Sequence, residues 1–218
     1  MPSGSILTAL VRTGRTQLAA LASIARRFQR LIDFHPLDHS VLQRDRQPSS
    51  STLLGFLTVL EHDVHGLTGG YLLLTMLGRP VEFHCTAPVK PSRAQQILFG
   101  PTLAPFLYGE HIGQTLASKG SVQPLAIFTD VAPALALGQL VECPVLLVLK
   151  HGVAGQSCER SGLSTFEVGR NHLAAAAGTR HEQVAHELQS LAEFDCSEPF
   201  DRIRAAIEEA QRGSAKAA

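Results

Sequence analysis

Glu110 is the residue whose position asks most for a chemical explanation. A helix from about Thr102 to Ser118, plotted at 100° per residue, gathers Leu103, Phe106, Leu107 and Ala117 into one apolar stripe, and Glu110 falls in its middle. A carboxylate facing a core is costly unless it is paired, bound to a metal or lining a cleft. Asp130 closes the apolar run QPLAIFTD. Glu61, Asp63 and His65 alternate, so a strand running through them would put all three on one face, although the following glycines argue for an earlier stop. His84 and Cys85 adjoin in GRPVEFHCTAPVKP, with Glu82 two places before. On a strand, neighbours point to opposite faces. His84 is therefore expected beside Glu82 on a polar face, and Cys85 with Val81 and Phe83 on an apolar one, so the two cannot ligate one metal together. His35, Asp38 and His39 have metal-like spacing, but Pro36 between them favours a loop. Cys158 and His172 could act as nucleophile and base only if the fold brought them within hydrogen-bond reach.

The elements that must position these groups can be read from apolar runs and punctuation. Residues 53–60 are nearly all apolar, as expected of a strand buried on both faces. HDVHGLTGG reads as a loop and YLLLTML (71–77) as a second strand. Gly78-Arg79 suits a two-residue type II′ turn into a third strand, Val81 to about Val89. Ser92 with Gln95 forms a capping box that starts a helix ending at Gly100-Pro101. The 102–118 helix follows, then strand four (123–130), a short helix in VAPALALGQLVE and strand five in VLLVLK. LSTFEV (163–168) is a sixth candidate strand. Thr179 and Glu182 form a second capping box. Beyond it the chain reads as helical, with Phe200, Ile203 and Ile207 on the buried face of the last helix.

The expected fold is α/β. A mixed five- or six-stranded sheet, an antiparallel β-meander followed by αβαβ, carries helices on its faces, with an N-terminal helix and a C-terminal helical hairpin. Residues 1–44 form a basic amphipathic segment, 45–52 (DRQPSSST) a linker, 53–212 a single domain and 213–218 a frayed tail. The N-terminal stripe is Leu18, Leu21, Ala25, Phe28 and Ile32.

Charge and composition narrow the function classes. The 218 residues are 44% hydrophobic and 17% charged, which is globular, and the formal net charge of zero gives no global pull toward nucleic acid or a membrane. The ends differ in sign: residues 1–50 carry seven Arg against three Asp, whereas 181–218 carry eight acids against four Lys or Arg. Four cysteines without a C-x-x-C pair point away from a zinc ribbon or disulfide scaffold and toward a reducing, cytoplasmic setting. The acid-free, Arg-rich stretch before Asp33 also has the composition of an organellar transit peptide. No apolar run is long enough to span a bilayer.

The order of elements, with Glu61, Glu110 and Asp130 where they stand and GQLVECPVLLVLK after the last of them, resembles the ribonuclease H-like superfamily, and endonuclease V within it. The resemblance covers roughly residues 53–150. It implies two divalent metals, Mg or Mn, held by one acid on the first strand, one on the following helix and one ending the fourth strand. The matching positions are Glu61 or Asp63, Glu110 and Asp130, with Lys90, Arg93 and Lys119 as phosphate contacts. Hard cations take carboxylate oxygens, and two metals about 4 Å apart clamp both oxygens of a phosphodiester displacement. The departures are specific. The first acid is a Glu at the strand's end rather than an Asp inside it, and neither Thr86-Ala87-Pro88 nor Gly100-Pro101 reproduces the PYxPG-like segment of endonuclease V. Two functions stand side by side. The favoured one is a non-catalytic binding or assembly module that reaches another protein, or its own copy, through the N- or C-terminal helix. The other is a metal-dependent nuclease with nucleic acid as partner.

Overall fold

The computed structural model describes residues 52–149, 162–176 and 181–215. The N-terminal stripe, His35, Asp38, His39, Cys158 and Thr179 lie outside the described residues.

Seven strands form one mixed sheet: β1 (Leu53–His62), β2 (Gly66–Thr75), β3 (Pro80–Cys85), β4 (Ala126–Thr129), β5 (Val145–Val148), β6 (Leu163–Val168) and β7 (Asn171–Ala176). Their order is β3-β2-β1-β4-β5-β7-β6. β1 to β3 are the expected antiparallel meander, and β4 and β5 continue the sheet parallel to β1. β1 and β4 are apolar on both faces because they lie inside the sheet with helical layers above and below.

One face packs on α3 (His181–Glu187) and α4 (Glu198–Ala215), where Phe200, Ile203 and Ile207 meet Phe56 and Phe128. α4 runs on into the tail expected to fray. The other face packs on α2, a helical run over 100–117, and on a 3-10 segment, Ala132–Gln139, through Leu107, Ile112, Leu116, Ala134 and Leu137. α1 (Arg93–Phe99) precedes α2 and buries none of its residues. Its start is the expected capping box: Ser92 accepts from the Gln95 amide, and Gln95 accepts from the Ser92 amide at 2.8 Å.

Four expectations need correction. Gly69 and Gly70 belong to β2, not to a loop. A Cβ on Gly69 would collide with Ile112 on one face, and one on Gly70 with Ile203 on the other, so the glycine pair lets both helical layers touch the sheet. The β2–β3 connection is not a two-residue type II′ turn. It spans 76–79 with Gly78 at φ 73, and the pairing shifts register between Leu73 and Leu74. β3 stops at Cys85, and its continuation touches β2 through the isolated Leu67–Val89 bridge. A seventh strand, β7, lies in an alanine-rich stretch that favours helix locally. It pairs with β6 across a turn holding Gly169 at φ 57, and antiparallel with β5. Asn171 secures its start: the side chain donates to the Phe194 carbonyl and accepts from the Cys196 amide, satisfying a buried amide group.

Candidate functional site

Parallel register between β1 and β4 pairs Leu57 with Thr129, so the next residues, Thr58 and Asp130, stand side by side on the α4 face. Thr58 is buried, and its hydroxyl donates to Asp130 Oδ1 at 2.6 Å. The other carboxylate oxygen takes a close ion pair from Arg204 of α4, whose guanidinium also donates to Asp201 at 3.1 Å. The Asp130 side chain is only 10% exposed. Both its oxygens are engaged by the protein's own groups, and the adjacent cation is a guanidinium.

Glu110 is on the opposite layer. It is exposed, whereas Leu107 and Ile112 of the same helix enter the core on the α2 face. The physical reason lies in the helix itself. Phe106–Gly113 is a π segment inside α2, and its buried residues are Leu107, Gly109, Ile112 and Gly113. Hydrogen bonding from i to i+5 widens the turn, so the stripe drawn at 100° per residue does not apply and Glu110 swings outward.

Glu61, at the exposed end of β1, accepts a hydrogen bond from Tyr108. Burial raises the Tyr108 phenol above its ordinary value, and the Glu61 charge adds to this. Asp63 sits exposed in the β1–β2 turn. In that turn the His62 and His65 rings lie 4.6 Å apart, and His62 Nδ1 accepts from the Val64 amide. Lys90 and Arg93 flank the start of α1, and Lys119 follows the end of α2; all three are exposed. Thus Glu61 and Asp63 lie at one hairpin, Asp130 is tied to α4, and Glu110 is across the sheet. Among the described residues no group of three or more His, Cys, Asp or Glu is placed to hold a metal ion.

That donor set does not fit a pair of divalent metals. Of the positions the resemblance assigns, Asp130 alone is set among the inner strands, and the side chain next to it on β1 is a threonine. Thr58 and Arg204 escaped the sequence reading. An acid-based search passes over a threonine, and Arg204 lies 74 residues from its partner.

The strand pair read as Glu82/His84 does form a cluster. His84 Nε2 and Glu82 Oε2 are 3.0 Å apart. The Ser121 amide donates to Glu82 at 3.1 Å, and the Ser121 hydroxyl makes a short hydrogen bond to the same carboxylate. Burial pushes the Glu82 carboxyl up, but hydrogen bonds from Ser121 and His84 outweigh it and leave the group below its ordinary value. Ser121 gives its hydroxyl to the carboxylate rather than to the imidazole, so the trio lacks the serine–histidine contact of a hydrolytic triad. It fastens edge strand β3 to the segment after α2. Cys85 packs with Phe83 on the α4 side as expected, but Val81 packs on the α2 side because the register shifts beside it; burial raises the Cys85 thiol.

A short ladder of rings joins the end of α1 to α2, and its middle ring, Phe106, packs against the core on the α2 face. Phe99 stacks on Phe106 at 4.4 Å between centroids, and Phe106 on His111 at 6.1 Å, with interplanar angles of 29° and 18°. His111 is exposed.

No family model and no curated protein matches the chain. Solved structures do. Human endonuclease V is 16% identical, with 88% of this chain and 99% of that chain covered, at a TM-score of 0.46. A Ciona intestinalis endonuclease V in complex with a 23mer DNA containing an inosine followed by a ribo-adenosine is 15% identical, with 90% and 98% covered, at a TM-score of 0.43. The chain is similar to these structures. Its own strand order is an antiparallel β3-β2-β1 half continued by parallel β4 and β5.

Proposed function

We propose that this chain is a ribonuclease H-like domain that engages nucleic acid without cutting it. The observation that carries the reading is the Thr58–Asp130–Arg204 arrangement: the Asp130 carboxylate is neutralised by the chain's own Arg204 guanidinium, and its neighbour on β1 is a hydroxyl rather than a second acid. The Phe99–Phe106–His111 ladder supports nucleic acid as the ligand class. A stacked set of rings ending in an exposed imidazole offers a π-face to an unpaired base, and such stacking contributes about 1–3 kcal/mol per base. The C-terminal helix is a poor route to a protein partner, because Phe200, Ile203 and Ile207 are already buried against the sheet.

A second reading, phosphodiester hydrolysis with Mg or Mn, is favoured by one feature. Asp130 follows the last residue of β4 beside β1, where the resemblance puts an acid. One experiment separates the two. Labelled single-stranded and duplex oligonucleotides, DNA and RNA, are titrated with the full chain in magnesium, manganese or EDTA, with binding and product followed together. The expected result is salt-sensitive binding without product, weakened about tenfold by His111→Ala, in line with the loss of one stacked base. Metal-dependent product that disappears in Asp130→Asn replaces this reading with the nuclease. Absence of any binding at low salt, with no product, removes both.

A further inference from the structure

An open cleft of about 310 Å³ lies beside the point where the described chain begins. Tyr71, Ala117, Pro124, Ile127 and Val141 contribute to its walls. Two further lining residues are exposed aliphatic side chains: Val122 is 50% exposed and Leu140 43%. The Leu53 carbonyl accepts from the Leu125 amide at 2.8 Å, and Leu125 directly follows Pro124 of the cleft wall. Leu53, the first residue of β1, therefore lies at the edge of this cleft.

The preceding sequence has the chemistry to fill it. Leu18, Leu21, Ala25, Phe28 and Ile32 make a stripe of helical period with no acid before Asp33, and Arg26, Arg27 and Arg30 lie between its members. Residues 33–52 separate that stripe from β1, and 20 residues reach up to about 70 Å when extended. The tether is long enough for the stripe to fold back onto the cleft. Exposed Glu142, which lines the cleft and accepts from Gln123 at 3.5 Å, supplies the opposite charge for an arginine.

We infer that this cleft is the docking site for residues 18–32 of the same chain. The apolar stripe covers Val122 and Leu140, and the arginines lie toward Glu142. An intramolecular partner fits the cleft's modest size, because tethering raises the local concentration of a segment whose contact area alone would bind weakly.

The test is hydrogen exchange on the full chain, read over residues 18–32. Amides there are expected to exchange at least tenfold more slowly than an unstructured chain. That protection should be lost in Val122→Asp/Leu140→Asp, kept in Leu98→Asp (an equally apolar but distant exposed site), and unchanged by hundredfold dilution. Unprotected amides in the unaltered chain overturn the inference, as does protection that survives the double substitution. Protection lost on dilution also overturns it and makes a second copy the occupant. A photocrosslinker at position 28 gives a readout independent of the folding of the cleft variant. Intramolecular crosslinks to 117–143 are expected, and crosslinks elsewhere only would sink the idea.

Discussion

Leu107 and Ile112, five residues apart on α2, are both buried in the same core, and Glu110 between them faces solvent. This spacing belongs to the π segment, and it decides which side chains of α2 do structural work. Ile112→Ala should cost about 2–5 kcal/mol, because it empties a site that also fills the space over Gly69. Glu110→Ala should stay within about 0.5 kcal/mol, as for an exposed position without a fixed partner. Urea unfolding of the two variants checks the contrast. A large loss in Glu110→Ala would place that carboxylate in an interaction the structure does not contain.

Asp130 and Arg204 should behave as a coupled pair. Arg204→Ala leaves a nearly buried carboxylate facing only a threonine hydroxyl. The Arg204 side chain is 36% exposed, so the cost falls between surface and buried ion pairs, at about 2–4 kcal/mol. Adding Asp130→Asn removes the uncompensated charge and should restore part of the loss. A double-mutant cycle that shows simple additivity would mean the two side chains do not interact.

Glu82 predicts a pH dependence of defined sign. Its carboxyl lies below its ordinary value in the folded protein because Ser121 and His84 hydrogen-bond the charged form. The unfolded state binds that proton more readily, so the stabilisation is fully present above the unfolded value of about 4.3 and is lost as pH falls through the lower folded value. The stability difference between the unaltered protein and Glu82→Gln should therefore be larger at neutral pH than below about pH 4. Denaturant titrations at both pH values measure it, and a difference that grows on acidification would reverse the assigned sign.

Gly70 should tolerate no side chain without a compensating cut. Gly70→Ala drives a methyl into Ile203 and is expected to cost about 1–3 kcal/mol, as overpacking does. Combining it with Ile203→Ala, which removes the Cγ2 methyl in its way, should cost less than the sum of the two single changes. Thermal unfolding of the single and double variants reports the compensation.

The cysteines offer a further check on packing. Cys196 is buried, and desolvation, with the neighbouring Asp195 charge, pushes its thiol up to about 12. It is protonated at neutral pH and should react with alkylating agents only on unfolding. Mass spectrometry of protein labelled under native conditions should find Cys196 unmodified until denaturant is added.

Much of the architecture is local and therefore readable. The continuous apolar run at 53–60 marks an inner strand because such a strand has no wet face, and β1 lies between β2 and β4. The Ser92/Gln95 capping box, the shared face of Glu82 and His84, and the buried stripe of the last helix follow from period and spacing alone. Tertiary contacts decided the rest. β7 is a strand because two neighbours pair with it, against the helix preference of its alanines. Gly69 and Gly70 are strand residues because two helical layers press on them. The π turn that exposes Glu110 depends on how α2 meets the sheet, and its composition does not announce it. Arg204 reaches Asp130 because α4 lies across β2 and β1, next to the end of β4, a proximity that no pattern 74 residues apart in sequence encodes. Residue type and period determined most of the strands and the faces of the regular ones. Which charges meet was decided by packing, because ion pairs form between whatever surfaces the core brings together.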